Sequence, residues 1–127
     1  MNNMQSHFYI KKELGSYIAS LRFQHALRMR DLASSLGIST PYLSQIEHGT
    51  RLNPSPLLIR YIAEKLSLSK DETLTLYDLY AEATGQLPPD ITEYLTGNQV
   101  ALQALRQARD ANVTAEDWER FIGQLKK

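Results

Sequence analysis

The sequence predicts an all-α protein, and three observations carry that reading. Apolar residues recur three and four positions apart along most of the 127 residues, the period of a helix face. Start and stop chemistry, in the form of Ser-Thr-Pro, Ser-Pro and single glycines, punctuates those runs at short intervals. No stretch alternates apolar and polar residues over the length of a strand.

Leu14, Ile18 and Leu21, with Tyr17 beside them, form the stripe of a first helix. Lys11 and Lys12 precede it, as a solvated terminus or an arm along a partner. Leu32, Ala33 and Leu36 mark a short second helix, closed by Gly37, which takes the left-handed conformation at low cost. Ser39-Thr40-Pro41 opens a third: a hydroxyl accepts from the free N–H groups, and proline's missing N–H has no partner to lose there. Leu43 and Ile46 point inward from it, and Gly49 stops it. After a loop over residues 50–54, Ser55-Pro56 repeats the start signature for a fourth helix along Leu58, Ile62 and Leu66. Asp71 or Ser69 caps a fifth, with Leu74, Leu76, Tyr77, Leu79 and Tyr80 on a broad apolar surface.

Gly85-Gln86-Leu87-Pro88-Pro89-Asp90 is the clearest break, because adjacent prolines lack donors and push Leu87 out of the helical region. The expected division is a domain over residues 8–84 and an extension over 85–127. The extension holds a short segment (Ile91 to Leu95), an alanine-rich helix near Asn98 to Ala111, and a last helix from Thr114. There Thr114 and Asp117 resemble a capping box.

Composition sets limits. Hydrophobic residues make up 43% and charged residues 22%, values typical of a folded globular chain. There is no cysteine, which removes disulfides, thiolate nucleophiles and cysteine-held metals. No apolar run approaches the ~18 residues of a membrane span, and Met1 to His7 lack a secretory core, so the expected location is the cytoplasm without membrane contact. Net charge is zero, yet residues 1–68 carry eight bases against four acids and residues 69–127 six against ten. A basic half beside an acidic half hints at nucleic acid for the first.

The densest signal lies in Arg28 to Gly49, RMRDLASSLGISTPYLSQIEHG. Two short helices crossing steeply, the second in a DNA major groove, need a small residue at their contact (Ala33) and a tight-turn residue four positions on (Gly37). They also need apolar anchors under the second helix (Leu43, Ile46) and hydrogen-bonding side chains on its outer face (Thr40, Ser44, Gln45, His48). That set at those spacings is a helix-turn-helix signal.

With LGSYIASLR, DLASSLGIS, YLSQIEHG and LLIRYIAEKLSLS in order between Leu14 and Leu66, the chain resembles the Cro/cI-type helix-turn-helix family, also called the XRE family. The resemblance implies a five-helix, lambda-repressor-like DNA-binding domain. It implies that Thr40, Pro41, Ser44 and Gln45 face base edges of double-stranded DNA, that Tyr42 lies near the sugar-phosphate backbone, and that Arg51 and Asn53 touch it. Glu47 would pair with Arg22 and tie the recognition helix to the first helix.

Two departures stand out. Where the family has a capping Ser or Thr and a phosphate-binding Gln, this chain has Arg28 and Met29. Arg28 and Arg30, together with Ser39, then become the expected backbone contacts, since phosphate attraction needs only a nearby donor or cation. The recognition helix also holds no Arg or Lys, so guanine readout by a bidentate Arg is absent from it. Gln45, hydroxyls and thymine-methyl contact remain, an A·T-leaning set. His48 reads as a base contact, a phosphate contact or a helix-end residue. Arg60 and Lys65 read as surface charges.

His7, His25 and His48 share no ligand spacing, so neither a metal nor a cofactor is expected. Acidic Glu116, Asp117 and Glu119 occupy the first turn of a helix, where acids suit the dipole, and no nucleophile with its base suggests an enzyme. Trp118, Phe121, Ile122 and Leu125 form an apolar face in the extension, either folded onto Leu102, Leu105 and the Tyr77/Tyr80 surface or offered to a partner. Two functions fit: a repressor acting as a homodimer on a palindromic operator, or an antitoxin that binds a toxin protein and represses its own operon.

Overall fold

The computed structural model describes residues 3–50 and 54–126, with side chains from residue 12 onward. Among them are eight α-helices and no strand: α1 (Asn3–Gln24), α2 (Met29–Leu36), α3 (Thr40–Glu47), α4 (Pro56–Lys65), α5 (Lys70–Thr84), α6 (Pro89–Leu95), α7 (Gln99–Asp110) and α8 (Ala115–Leu125). None of the described helices is long and apolar enough to cross a membrane. The chain divides into two units, Met1–Ile91 and Thr92–Lys127. Gly85 does end α5 in the left-handed conformation, with φ 72°. Pro89, however, is buried and opens α6, and the first unit runs through the proline pair to Ile91.

In the first unit α1 packs on α3 and α5, α2 packs on α3 and α4, and α4 packs on α5. Ile18, Leu21, Leu32, Leu43, Ile59, Ile62, Leu76 and Tyr80 are withdrawn from solvent almost completely. Each such aliphatic side chain contributes about 1.5–3 kcal/mol on burial, more than the ~0.5–1 kcal/mol of rotamer freedom it loses. The apolar surface of α5 is narrower than its sequence suggests: Leu76, Tyr77 and Tyr80 are buried, while Leu74 stays exposed.

Helix α1 begins earlier than expected. Lys11 and Lys12 lie within it rather than ahead of it, because nothing from Asn3 to Leu14 breaks a helix. Its Gly15 has a packing reason to be glycine: a Cβ there would fall on the backbone carbonyl oxygens of Ile46 and Glu47.

The α2–α3 turn closes on Gly37 at φ 71°, with the Ile38 N–H donating to the Ala33 carbonyl at 3.0 Å and the Gly37 N–H to the Ser34 carbonyl at 3.1 Å. Ser39 then caps α3, its hydroxyl accepting from the Tyr42 N–H at 3.1 Å. Ser55 does the same for Leu58 in α4. In α5 the cap is Ser69, not Asp71: Ser69 and Glu72 bond reciprocally at 3.1 and 2.9 Å, leaving Asp71 inside the first turn.

In the second unit Asn98 caps α7 by accepting from the Ala101 N–H at 3.1 Å. Thr114 and Asp117 form a complete capping box on α8. Asn112, at φ 56°, turns the chain between the two helices. No side chain of α7 or α8 is buried. Tyr94, Leu95, Ala101, Ala104, Leu105, Trp118 and Phe121 line an open groove of about 460 Å³, with Trp118 and Phe121 edge to face at 6.2 Å.

Candidate nucleic-acid interface

Helix α3 is held from beneath. Leu43 and Ile46 are buried, and Ala33 of α2 is buried as well, its methyl small enough for two helices to meet closely. Gly15 lets α1 approach the carbonyls of the last turn. The guanidinium of Arg22 adds a polar clamp. Its Nε and a terminal nitrogen donate to the two carboxylate oxygens of Glu47 at 2.7 and 2.9 Å, and its other terminal nitrogen donates to the Leu27 carbonyl at 3.0 Å. One side chain thus ties together α1, the end of α3 and the turn before α2.

Both partners are buried, and the Glu47 hydrogen bond holds the Arg22 guanidinium above its ordinary pKa against the opposing effect of burial. The Arg22 guanidinium also stacks over the Phe23 ring, 4.6 Å from its centroid. Neither charge of the pair is left to act on a ligand.

The opposite face of α3 carries neutral hydrogen-bonding groups. Thr40, Pro41, Gln45 and His48 are exposed, while Ser44 and Tyr42 are half-buried. Thr40, Ser44 and His48 follow one another at single-turn spacing, so they share one row of the helix surface. His48 turns back on that row: its Nδ1 lies 2.7 Å from the Ser44 carbonyl oxygen and 3.4 Å from the Ser44 hydroxyl. The Ser39 hydroxyl already accepts from Tyr42, so what it retains for a phosphate is its own O–H.

Arg28 and Arg30 flank the start of α2, both exposed, and Asp31 sits between them at 3.1 and 4.0 Å. Arg28 is the N-cap residue of α2 and makes no side-chain cap bond. The N-terminus of α2 therefore presents backbone N–H groups beside two guanidinium groups that share one carboxylate, an arrangement suited to an anion. Arg51 and Asn53 lie outside the described residues. Trp118, Phe121, Ile122 and Leu125 belong to the other unit and are 40–67% exposed. Among the described residues, no group of three His, Asp or Glu side chains is placed to hold a metal.

Sequence reasoning missed two features of this site. Gly15 carried a signal, a lone glycine within a helical stripe, which points to close backbone approach. The Leu27 carbonyl carried none, since a backbone acceptor has no residue type to betray it.

A family model described as a helix-turn-helix domain matches residues 15–79, from the helix contact at Gly15 into α5. The chain belongs to the helix-turn-helix family. This regulator is 30% identical over 109 residues to the HTH-type transcriptional regulator DdrOP3 of Deinococcus deserti, across 85% of this chain and 76% of that one. It is 44% identical over 57 residues to an uncharacterized HTH-type transcriptional regulator of Mycobacterium tuberculosis, across 45% of this chain but only 40% of the relative. A third such regulator, from Sinorhizobium fredii, is 33% identical over 69 residues, 54% of this chain and 88% of its own. No solved structure matches significantly. As a helix-turn-helix transcriptional regulator the protein binds DNA, and the matched residues include α2 and α3.

Proposed function

We propose that this regulator is a repressor that binds a palindromic operator as a homodimer in the cytoplasm, with α3 of each copy in the major groove. The observation that carries the reading is the two-sidedness of α3. Its inner side is locked by Leu43, Ile46 and the Arg22–Glu47 pair, and its outer side offers neutral donors and acceptors. Thr40, Pro41, Ser44 and Gln45 read the bases in this account. Gln45 is suited to adenine through a bidentate contact, and the missing Arg and Lys remove the commonest guanine contact. Tyr42, Ser39, Arg28 and Arg30 position the helix on phosphate, and Arg51 and Asn53 are assigned the same task.

The homodimer rests on α8. A domain of this size buries ~600–1,000 Å² on DNA, seldom enough for specificity alone, and two-fold pairing doubles the contacts. Trp118, Phe121, Ile122 and Leu125 offer an apolar surface for that pairing.

The test is binding of the full chain to its promoter DNA and to random duplex across a salt series, with sedimentation of the free protein. Expected are a selected half-site rich in A·T pairs, half-sites about 34 Å apart, and affinity that falls as salt rises. Affinity indifferent to salt, or no preference over random duplex, overturns specific recognition. A chain that stays monomeric at micromolar concentration and binds a neighbouring gene's product through α8 supports the antitoxin role instead.

A further inference from the structure

We propose that His48 is a proton-linked phosphate contact, so that DNA binding takes up one proton at this ring. The inference rests on the reading of α3 as the DNA-facing helix and deepens it.

His48 Nδ1 lies 2.7 Å from the Ser44 carbonyl oxygen, which also accepts the His48 backbone N–H at 3.0 Å. A carbonyl oxygen only accepts, so Nδ1 must carry a hydrogen. The neutral ring is thereby held as the Nδ1–H tautomer, and Nε2 is left with a lone pair and no hydrogen. In that state Nε2 and a phosphate oxygen are both acceptors and repel. Adding a proton changes only Nε2: Nδ1–H stays on Ser44, and Nε2–H becomes a cationic donor of the kind that grips phosphate strongly.

Position favours the backbone over the bases. His48 is the C-cap residue of α3, and in a helix-turn-helix it is the N-terminal residues of the recognition helix that reach base edges. Its ring is exposed and on the same row as Thr40 and Ser44.

Among the described residues, no charged group of α1, α2 or α3 pairs with the His48 ring. Glu47 is taken by Arg22 of α1, and Arg28 and Arg30 of α2 by Asp31. Lys12 and Glu13 of α1 line a cleft with Leu79 of α5.

The test uses the full chain, ¹⁵N-labelled, and duplex DNA of both selected and random sequence. In alkaline solution, ring ¹⁵N shifts should show Nδ1 protonated and Nε2 bare; the reverse tautomer overturns the proposal. Between pH 8 and pH 5.5 wild-type affinity should rise, and the salt slope should steepen by about one counterion. His48→Ala should weaken binding about fivefold at pH 5.5, change it less than about twofold at pH 8, and flatten both trends. His48→Gln, which keeps a neutral polar group, should behave as the alanine variant does. A pH profile shared by wild type and His48→Ala overturns the proton linkage while leaving the function standing. Loss of preference at one base position without a change in slope likewise overturns it, in favour of base readout. A wild type that binds no duplex at all overturns both readings.

Discussion

Glu47 accepts from Arg22 through both carboxylate oxygens, at 2.7 and 2.9 Å, and both side chains are buried. A carboxylate on a helix that faces phosphate would repel it; here the charge is spent inside the domain. Glu47→Ala leaves a guanidinium buried without its counter-ion, holding only the Leu27 carbonyl and the Phe23 ring. The expected cost is about 3 kcal/mol of stability, with the selected DNA sequence unchanged. Replacing both residues by leucine should cost less than Glu47→Ala alone. Urea denaturation of the variants, with binding-site selection on each, checks both statements.

Gly15→Ala should destabilise the first unit by about 1–3 kcal/mol. The added methyl meets two backbone carbonyls of α3, which have no rotamer to escape into. Because α3 itself must shift, operator affinity should fall further than stability alone explains. The comparison is between Gly15→Ala and Ser16→Ala, one residue away on an exposed position.

Ala26 holds a left-handed backbone, φ 53°, in the turn between α1 and α2. An L-residue with a Cβ costs about 1 kcal/mol there, and glycine loses that penalty while gaining unfolded-state entropy. Ala26→Gly should therefore be neutral to stabilising, by up to about 1 kcal/mol, with the midpoint of thermal unfolding as readout. A lowered midpoint would contradict the assignment of this turn.

Asp117 titrates below the ordinary carboxylate value of 3.8, chiefly because its carboxylate accepts the Thr114 backbone N–H, then through the Thr114 hydroxyl and Arg120. A depressed folded value contributes stability that is fully present above the unfolded value and is lost as pH falls through the folded one. Wild-type α8 should thus be more helical than Asp117→Asn from neutral pH down to about pH 4, the two converging in stronger acid. Far-ultraviolet circular dichroism of both chains across pH 7 to 2 tests the sign.

The all-helical fold was legible because its punctuation is chemical. Ser39, Ser55, Ser69 and Thr114 each cap the helix that follows, and each stands beside the apolar run it opens. Local signals of that kind survive folding unchanged. The start of α1 was not legible, since polar Asn3 to His7 carry neither an apolar stripe nor a breaker. At the site, the residue types facing outward from α3 followed from spacing. The His48 ring's return to Ser44, and the three-way reach of Arg22 to Leu27, depend on side-chain torsions and backbone acceptors that no residue pattern encodes.

Helices α7 and α8 are 12 and 11 residues long and bury no side chain. Helices so short are marginal in water by themselves, and end caps contribute only about 1 kcal/mol each. Their persistence is thus coupled to whatever covers Trp118, Phe121, Ile122 and Leu125. If the proposed homodimer pairs through this face, amide hydrogen exchange across residues 99–125 should be fast in dilute solution and slow with rising protein concentration, while the amides of Leu43 and Ile59 wait for global opening. In the proposed homodimer, the order of the C-terminal helices would then rise with the regulator's own concentration.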